Sequence, residues 1–281
     1  MKIKDLLIYG KEKLKNSYIE DYDLISKLLI EYVCKINRNN IIVHIDEDLD
    51  EEKSNQYIDA IDKVASGLPV QYITNNQEFM GLNFYVDENV LIPQPDTEIV
   101  VQEVIDSYKD KSCKIMDLCT GSGAIGISIA KYIDNINVTA TDISMKAIQV
   151  AKLNAEKNLV HKKMCFIESD LFQGINEYDF DAIVSNPPYI ETKVIDNLSE
   201  QVKNEPYIAL DGGQDGLDFY RKIVNEAWKY IKNDGKLFLE IGYDQKVAVI
   251  DLLEQNDKYC NIYSKKDFGG NDRIVVATVR R

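Results

Sequence analysis

Lys114-Ile115-Met116-Asp117-Leu118-Cys119-Thr120-Gly121-Ser122-Gly123-Ala124-Ile125-Gly126 is the stretch that decides the fold of this chain. Lys114 to Leu118 reads as a strand, and Ala124 opens an apolar helix. Gly121, Gly123 and Gly126 therefore form G-x-G-x-x-G between a strand and a helix, the context that gives the pattern meaning. Glycines there permit a tight turn and let a ligand approach the backbone. Further strand-like runs follow at 137–141, 163–168, 181–185, 235–241, 259–264 and 273–279. They alternate with helical stretches at 124–133, 145–158, 216–232 and 244–255. The alternation predicts an α/β fold: a mostly parallel, seven-stranded sheet with helices on both faces.

Open sheets of this kind bind ligands beyond the C-terminal ends of their strands, near the point where strand order reverses. Asp117, Asp142, Asp170 and Asn186 all fall at such ends. Asp142 closes the second strand, about twenty residues after the glycines, where a carboxylate accepts hydrogen bonds from ribose hydroxyls. Two cofactor classes fit. A dinucleotide would set its pyrophosphate on the helix N-terminus. S-adenosylmethionine (SAM) carries ribose and adenine and no phosphate. Asp117 favours SAM, because a carboxylate at the end of the first strand repels a pyrophosphate and suits a cationic amino-acid moiety. Ser169-Asp170-Leu171-Phe172 follows the third strand, beside the expected adenine edge.

The fourth strand runs into Ser185-Asn186-Pro187-Pro188-Tyr189. Neither proline has an N–H for a ladder, so the strand ends in a stiff loop. That loop lies beside the glycine turn and suits a planar NH₂ group as methyl acceptor. The Asn186 side-chain oxygen accepts one N–H and the Pro187 carbonyl the other. Pro187 and Pro188 hold the geometry in advance, and Tyr189 can stack on a flat substrate group. An amide nitrogen is a poor nucleophile, so positioning carries the reaction, with as much as ~7–11 kcal/mol available from that source.

The rest of the chain bounds the function. Net charge is −14, from 33 basic and 47 acidic residues, which disfavours general nucleic-acid binding because phosphate contacts supply most of that affinity. The five cysteines (Cys34, Cys113, Cys119, Cys165, Cys260) form no C-x-x-C pair and there are only two histidines, so no metal site is expected. Scattered cysteines, an N-terminus without a signal-peptide core and the lack of a membrane-length apolar run predict a cytoplasmic protein with no membrane contact. A monomer is expected. Residues 1–73 carry apolar residues at helical spacing, including Leu24, Leu28 and Tyr32, and Ile58, Ile61 and Ala65, ended by Gly67 and Pro69. Residues 74–95 read as a hairpin linker, with Phe79–Val86 and Val90–Ile92 as strands around Asp87-Glu88-Asn89. Residues 96–281 form the cofactor-binding domain.

The chain resembles the PrmC/HemK proteins over essentially its whole length. The likeness rests on Gly67-Leu68-Pro69-Val70-Gln71-Tyr72-Ile73, Glu78 to Leu82, Val90-Leu91-Ile92-Pro93, Asp117 to Gly126 and Ser185 to Tyr189. Asp211-Gly212-Gly213, Asp215-Gly216-Leu217 and Glu240-Ile241-Gly242 continue it. The resemblance implies a Rossmann-like class I SAM-dependent methyltransferase domain behind a helical substrate-recognition domain. It implies methylation of the glutamine side-chain nitrogen in the Gly-Gly-Gln loop of peptide chain release factors, leaving S-adenosylhomocysteine. It further implies that Cys119, Thr120, Gly121, Ser122, Gly123, Asp142, Leu171 and Asn186 contact SAM, and that Asn186, Pro187, Pro188 and Tyr189 hold the glutamine. Three positions depart from the family pattern: Cys119 replaces a usual glycine, Gln94 a usual arginine, and Asn75-Asn76 a usual glycine-containing turn. Asn-Pro-Pro-Tyr alone is shared with methyltransferases acting on nucleic-acid amino groups, which is the alternative function. A SAM-binding scaffold would not need the acceptor loop, and a dinucleotide oxidoreductase conflicts with Asp117.

Overall fold

The computed structural model describes all 281 residues. Contacts divide them into two compact units, Met1–Asn75 with Leu198–Asn204, and Asn76–Asn197 with Glu205–Arg281. The return of Leu198–Asn204 to the first unit has no counterpart in the sequence reading.

The first unit is helical: α1 (Ile3–Asn16), α2 (Tyr22–Cys34), α3 (Glu51–Ala65) and α4 (Val70–Thr74). Asp50 caps α3 by accepting the Lys53 N–H at 2.7 Å, and Glu51 and Glu52 complement the helix dipole in the first turn. Leu6, Leu14, Leu29, Ile30, Tyr57 and Ile61 are fully buried between the helices. Full burial of such side chains contributes roughly 1.5–3 kcal/mol each. The buried Tyr57 hydroxyl is satisfied by Ser26 Oγ at 2.6 Å.

The second unit begins with a two-stranded hairpin, β1 (Gln77–Phe79) and β2 (Leu82–Phe84). This corrects the expected strand pair. The turn is Met80-Gly81, both at positive φ (50° and 68°), as two-residue hairpin turns require. Val90–Ile92 is not a strand; the Ile92 N–H bonds to the Glu205 carboxylate at 2.8 Å instead of a neighbouring backbone.

Seven strands follow: β3 (Cys113–Leu118), β4 (Ile136–Asp142), β5 (Met164–Glu168), β6 (Phe180–Ser185), β7 (Ile231–Glu240), β8 (Tyr259–Lys266) and β9 (Asp272–Val279). The helices are α5 (Glu98–Tyr108), α6 (Ala124–Tyr132), α7 (Met145–Lys157), α8 (Thr192–Ile195), α9 (Glu200–Lys203, in the first unit), α10 (Tyr207–Leu210), α11 (Asp218–Glu226) and α12 (Lys246–Glu254). The sheet order is β5-β4-β3-β6-β7-β9-β8, parallel except that β9 runs antiparallel to β7 and β8. Apolar residues pack on both faces, as a central parallel strand demands. Ile115, Ala182 and Val184 join one core; Met116, Leu118 and Ile183 join the other. The order reverses between β3 and β6, whose ends are in register with Leu118 opposite Ser185.

Candidate active site

A cavity of about 300 Å³ opens above that switch point. Its wall includes Cys119, Thr120, Gly121 and Ser122 after β3, Asp142 after β4, Asp170 and Leu171 after β5, and Asn186 and Pro188 after β6. These residues come from four separate segments of the second unit, brought together by strand order alone.

Short-range bonds shape the glycine turn. Thr120 N–H donates to the Thr141 carbonyl at 2.9 Å, and Gly123 N–H to the Thr120 carbonyl at 2.8 Å. Gly123 has φ 84°, and a Cβ there would meet Ile127 Cδ1 at 2.6 Å, so helix α6 packs tightly only because the side chain is absent. Cys119 adopts φ 63°, the left-handed region where a side chain is strained. Burial pushes its thiol above the ordinary range, and the nearby Asp142 carboxylate adds to the rise.

Asp142 accepts the Gly121 N–H on Oδ2 and the Ser144 N–H on Oδ1, both at 2.9 Å. Burial raises its pKa, and those backbone donors oppose the rise. Asp170 accepts from Gln173 Nε2 at 2.9 Å, and Leu171 turns at φ 50° with its carbonyl held by Ser169 Oγ.

Asp117 takes a place other than the expected one. Side chains alternate along a strand, so Asp117 shares the face of Ile115, beneath α6. It is fully buried and does not line the cavity. Its Oδ2 accepts the Thr120 hydroxyl at 2.5 Å and the Gly126 N–H at 2.9 Å, bracing the turn from below. Burial pushes this carboxyl up to about 7 against those two donors.

Asn186 faces the cavity beside the glycine turn, its Nδ2 3.5 Å from Thr97 Oγ1. Pro188 lines the wall; Pro187 is buried, and neither it nor Tyr189 lines the cavity. The Tyr189 side chain interacts with Arg273, and its backbone is gripped from outside. Gln245 Nε2 donates to the Tyr189 carbonyl at 2.9 Å. A Cβ on Gly212 would lie 2.6 Å from Tyr189 Cα. Gly212 N–H donates to the Ile190 carbonyl at 2.8 Å, and Ile190 N–H to the Leu210 carbonyl at 3.0 Å.

Reading the residues missed one wall altogether. Asn89 to Gln94, Thr97, Ile208, Phe219 and Lys222 complete the cavity. Val90–Ile92 was read as a hairpin strand and Val90–Pro93 as part of the family likeness, and neither reading placed the segment at the cavity. No group of three or more histidine, cysteine, aspartate or glutamate side chains is placed to hold a metal ion. No helix is long and apolar enough to cross a membrane.

The donor set fits SAM. The turn offers backbone and small side chains with open space at Gly121, and Asp142 presents a carboxylate where ribose hydroxyls would lie.

Comparison with known proteins identifies relatives of this chain. Residues 95–204 match the methyltransferase small domain and residues 5–74 the PrmC N-terminal domain. A release factor glutamine methyltransferase of Clostridium acetobutylicum is 42% identical, the match covering 99% of this chain and 98% of that protein. One of Clostridium botulinum is 40% identical, covering 99% of each. A methyltransferase from Pyrococcus furiosus shares the fold with TM-score 0.54 and 20% identity, over 72% of this chain and 90% of that one.

Proposed function

This chain belongs to the release factor glutamine methyltransferase family, and from that membership we propose that it methylates the side-chain amide nitrogen of the glutamine in the Gly-Gly-Gln loop of peptide chain release factors. The observation that carries the reading is the placement of Asn186. It stands in the cavity wall next to the glycine turn, at the one point where the sheet order reverses.

SAM, when bound, supplies an electrophilic methyl group on a sulfonium. The residues of the chain do the rest. Gly121, Ser122 and Gly123 give close approach, Asp142 holds the ribose, and Asp170 and Leu171 flank the adenine. Cys119 and Thr120 close the turn, with Asp117 acting on them from behind. Asn186 Oδ1 accepts one hydrogen of the glutamine amide, which aims its nitrogen at the methyl carbon; the Pro187 carbonyl, which lies off the cavity wall, has to turn toward the substrate to accept the other. Those bonds also ease the loss of planarity at nitrogen as the new bond forms. The departing proton becomes acidic as transfer proceeds, so no strong base is required. Pro188 walls the channel. Tyr189 serves as the anchor of the loop, tied to Arg273 through its side chain and to Gln245 through its carbonyl. A translation-factor substrate supports a cytoplasmic enzyme.

The test offers labelled SAM with a release factor, with its Gln→Ala variant in the Gly-Gly-Gln loop, and with DNA and RNA. Label on the unmutated release factor alone is expected. Label on nucleic acid, with none on the release factor, would overturn the substrate assignment.

A further inference from the structure

Glu240 is the last residue of β7, and Asn186 follows β6 directly. The two strands are parallel neighbours with Ser185 opposite Leu239, so Asn186 and Glu240 stand side by side at the end of the sheet. Glu240 is 2% exposed, and its Oε2 has no hydrogen-bond partner. A buried carboxylate left half-satisfied is costly, and its retention calls for a role. Burial raises its pKa to about 7. Thr97, then Arg273, oppose the rise; Asp96 adds to it, and the Asn186 amide opposes it again.

The chemistry of the three side chains sets a direction. Above about pH 7 the Glu240 carboxyl is ionised and only accepts. In that form the Thr97 hydroxyl, whose interaction with the carboxylate holds the Glu240 pKa down, donates toward it, which leaves Thr97 Oγ1 to accept. Asn186 Nδ2 lies 3.5 Å from that oxygen and is the only nitrogen Asn186 can offer. With the NH₂ end drawn toward Thr97 and Glu240, the Oδ1 end faces the cavity. Were Thr97 to accept from nothing, the amide could turn over and present N–H to a substrate N–H, which cannot bond.

We propose that Glu240 is a positioning residue for methyl transfer: as an ionised acceptor behind Thr97 and Asn186 it fixes which end of the Asn186 amide meets the substrate. This rests on the assignment of Asn186 as the acceptor of the substrate amide. Replacing the carboxylate by an amide of equal size removes the fixed polarity, because a glutamine can donate as well as accept.

Single-turnover methylation of a release factor is measured at about pH 8, where Glu240 is ionised, for wild type, Glu240→Gln, Thr97→Val, Asn186→Ala and Glu240→Gln/Asn186→Ala. Glu240→Gln and Thr97→Val each lower the rate about tenfold or more, with the Kd for SAM unchanged within about twofold. Glu240→Gln adds nothing once Asn186 is alanine, because its effect passes through that side chain. Full activity in Glu240→Gln, or an equal loss with and without Asn186, would overturn the proposal. The side-chain NH₂ resonances of Asn186 give a readout that needs no substrate. They are slow to exchange in wild type and become fast or doubled in Glu240→Gln and in Thr97→Val. Unchanged resonances would overturn the proposal even if the variants lost activity. If the wild type methylated no release factor but the resonances responded as stated, the substrate assignment would fail and the positioning role would stand.

Discussion

At the scale of single residues, the informative position is Cys119. A cysteine at φ 63° stands where the family pattern has glycine. The left-handed conformation costs a side chain ~1–2 kcal/mol, while a glycine loses ~0.5–1 kcal/mol more chain entropy on folding. Cys119→Gly is therefore expected to melt at or slightly above the wild-type temperature. Cys119→Val, which adds β-branching at the same φ, is expected to be destabilised by more than about 1 kcal/mol. Calorimetry of the three proteins checks the order; a valine variant as stable as wild type would contradict it. Asp142 and Asn186 were legible in the sequence because each is the polar residue at the end of an apolar strand. Asp117 was legible as a strand-end acid, but its direction was not. Period-2 alternation places it under α6, and only counting faces along β3 separates a brace from a wall residue. Tyr189 was read as a stacking platform. Its side chain instead meets Arg273, 84 positions later in the chain, and no local pattern announces that.

At the scale of elements, the Asn-Pro-Pro-Tyr loop owes its shape to a second loop. Gly212 and Gly216 let the chain run against Tyr189, since a Cβ at either would meet Tyr189 backbone atoms at 2.6 Å and 2.4 Å. Gly212→Ala is expected to displace the acceptor loop. Methyl transfer should fall by about tenfold or more while SAM affinity holds, at a stability cost of roughly 1–3 kcal/mol. Parallel measurement of rate and SAM binding decides; loss of both in proportion would place the effect in the cofactor turn. The strands from β3 onward and helices α6, α7, α11 and α12 were legible because alternation and apolar runs carry them, whereas the one-turn helices α8, α9 and α10 are too short to show a period. The hairpin was misplaced because Met80-Gly81 hides a positive φ at a methionine. Val90–Ile92 was mistaken for a strand because its backbone partner is a side chain, that of Glu205, 113 residues away.

At the scale of the whole molecule, three buried carboxyls, Asp117, Glu205 and Glu240, are each raised to about 7 by burial. Their unfolded values lie near 4. Between those values the folded chain holds protons that the unfolded chain has lost, so stability is greatest below about pH 4 for these groups and is lost as pH rises toward about 7. Carboxylates lowered by partners, such as Asp23 and Asp215, act below that window. Self-repulsion from a net charge of −14 works in the same direction as the raised groups. The urea midpoint is therefore expected to be higher at about pH 5.5 than at about pH 8, with the gap narrowed in Glu240→Gln. A midpoint that increased with pH would contradict this. The sheet and its switch point were legible from one glycine turn and the alternation after it. The membership of Leu198–Asn204 in the helical unit was not, because the packing of Gly67 against Glu200 joins residues too distant in sequence for any pattern to link.

The measurement that bears most directly on the account is the single-turnover rate of methyl transfer to a release factor by wild type and by Asn186→Ala, with SAM affinity measured on the same preparations. A fall of at least ~10²-fold in rate, with SAM affinity within a few-fold of wild type, is the predicted result. An Asn186→Ala enzyme that transfers methyl at the wild-type rate would contradict the account at its centre.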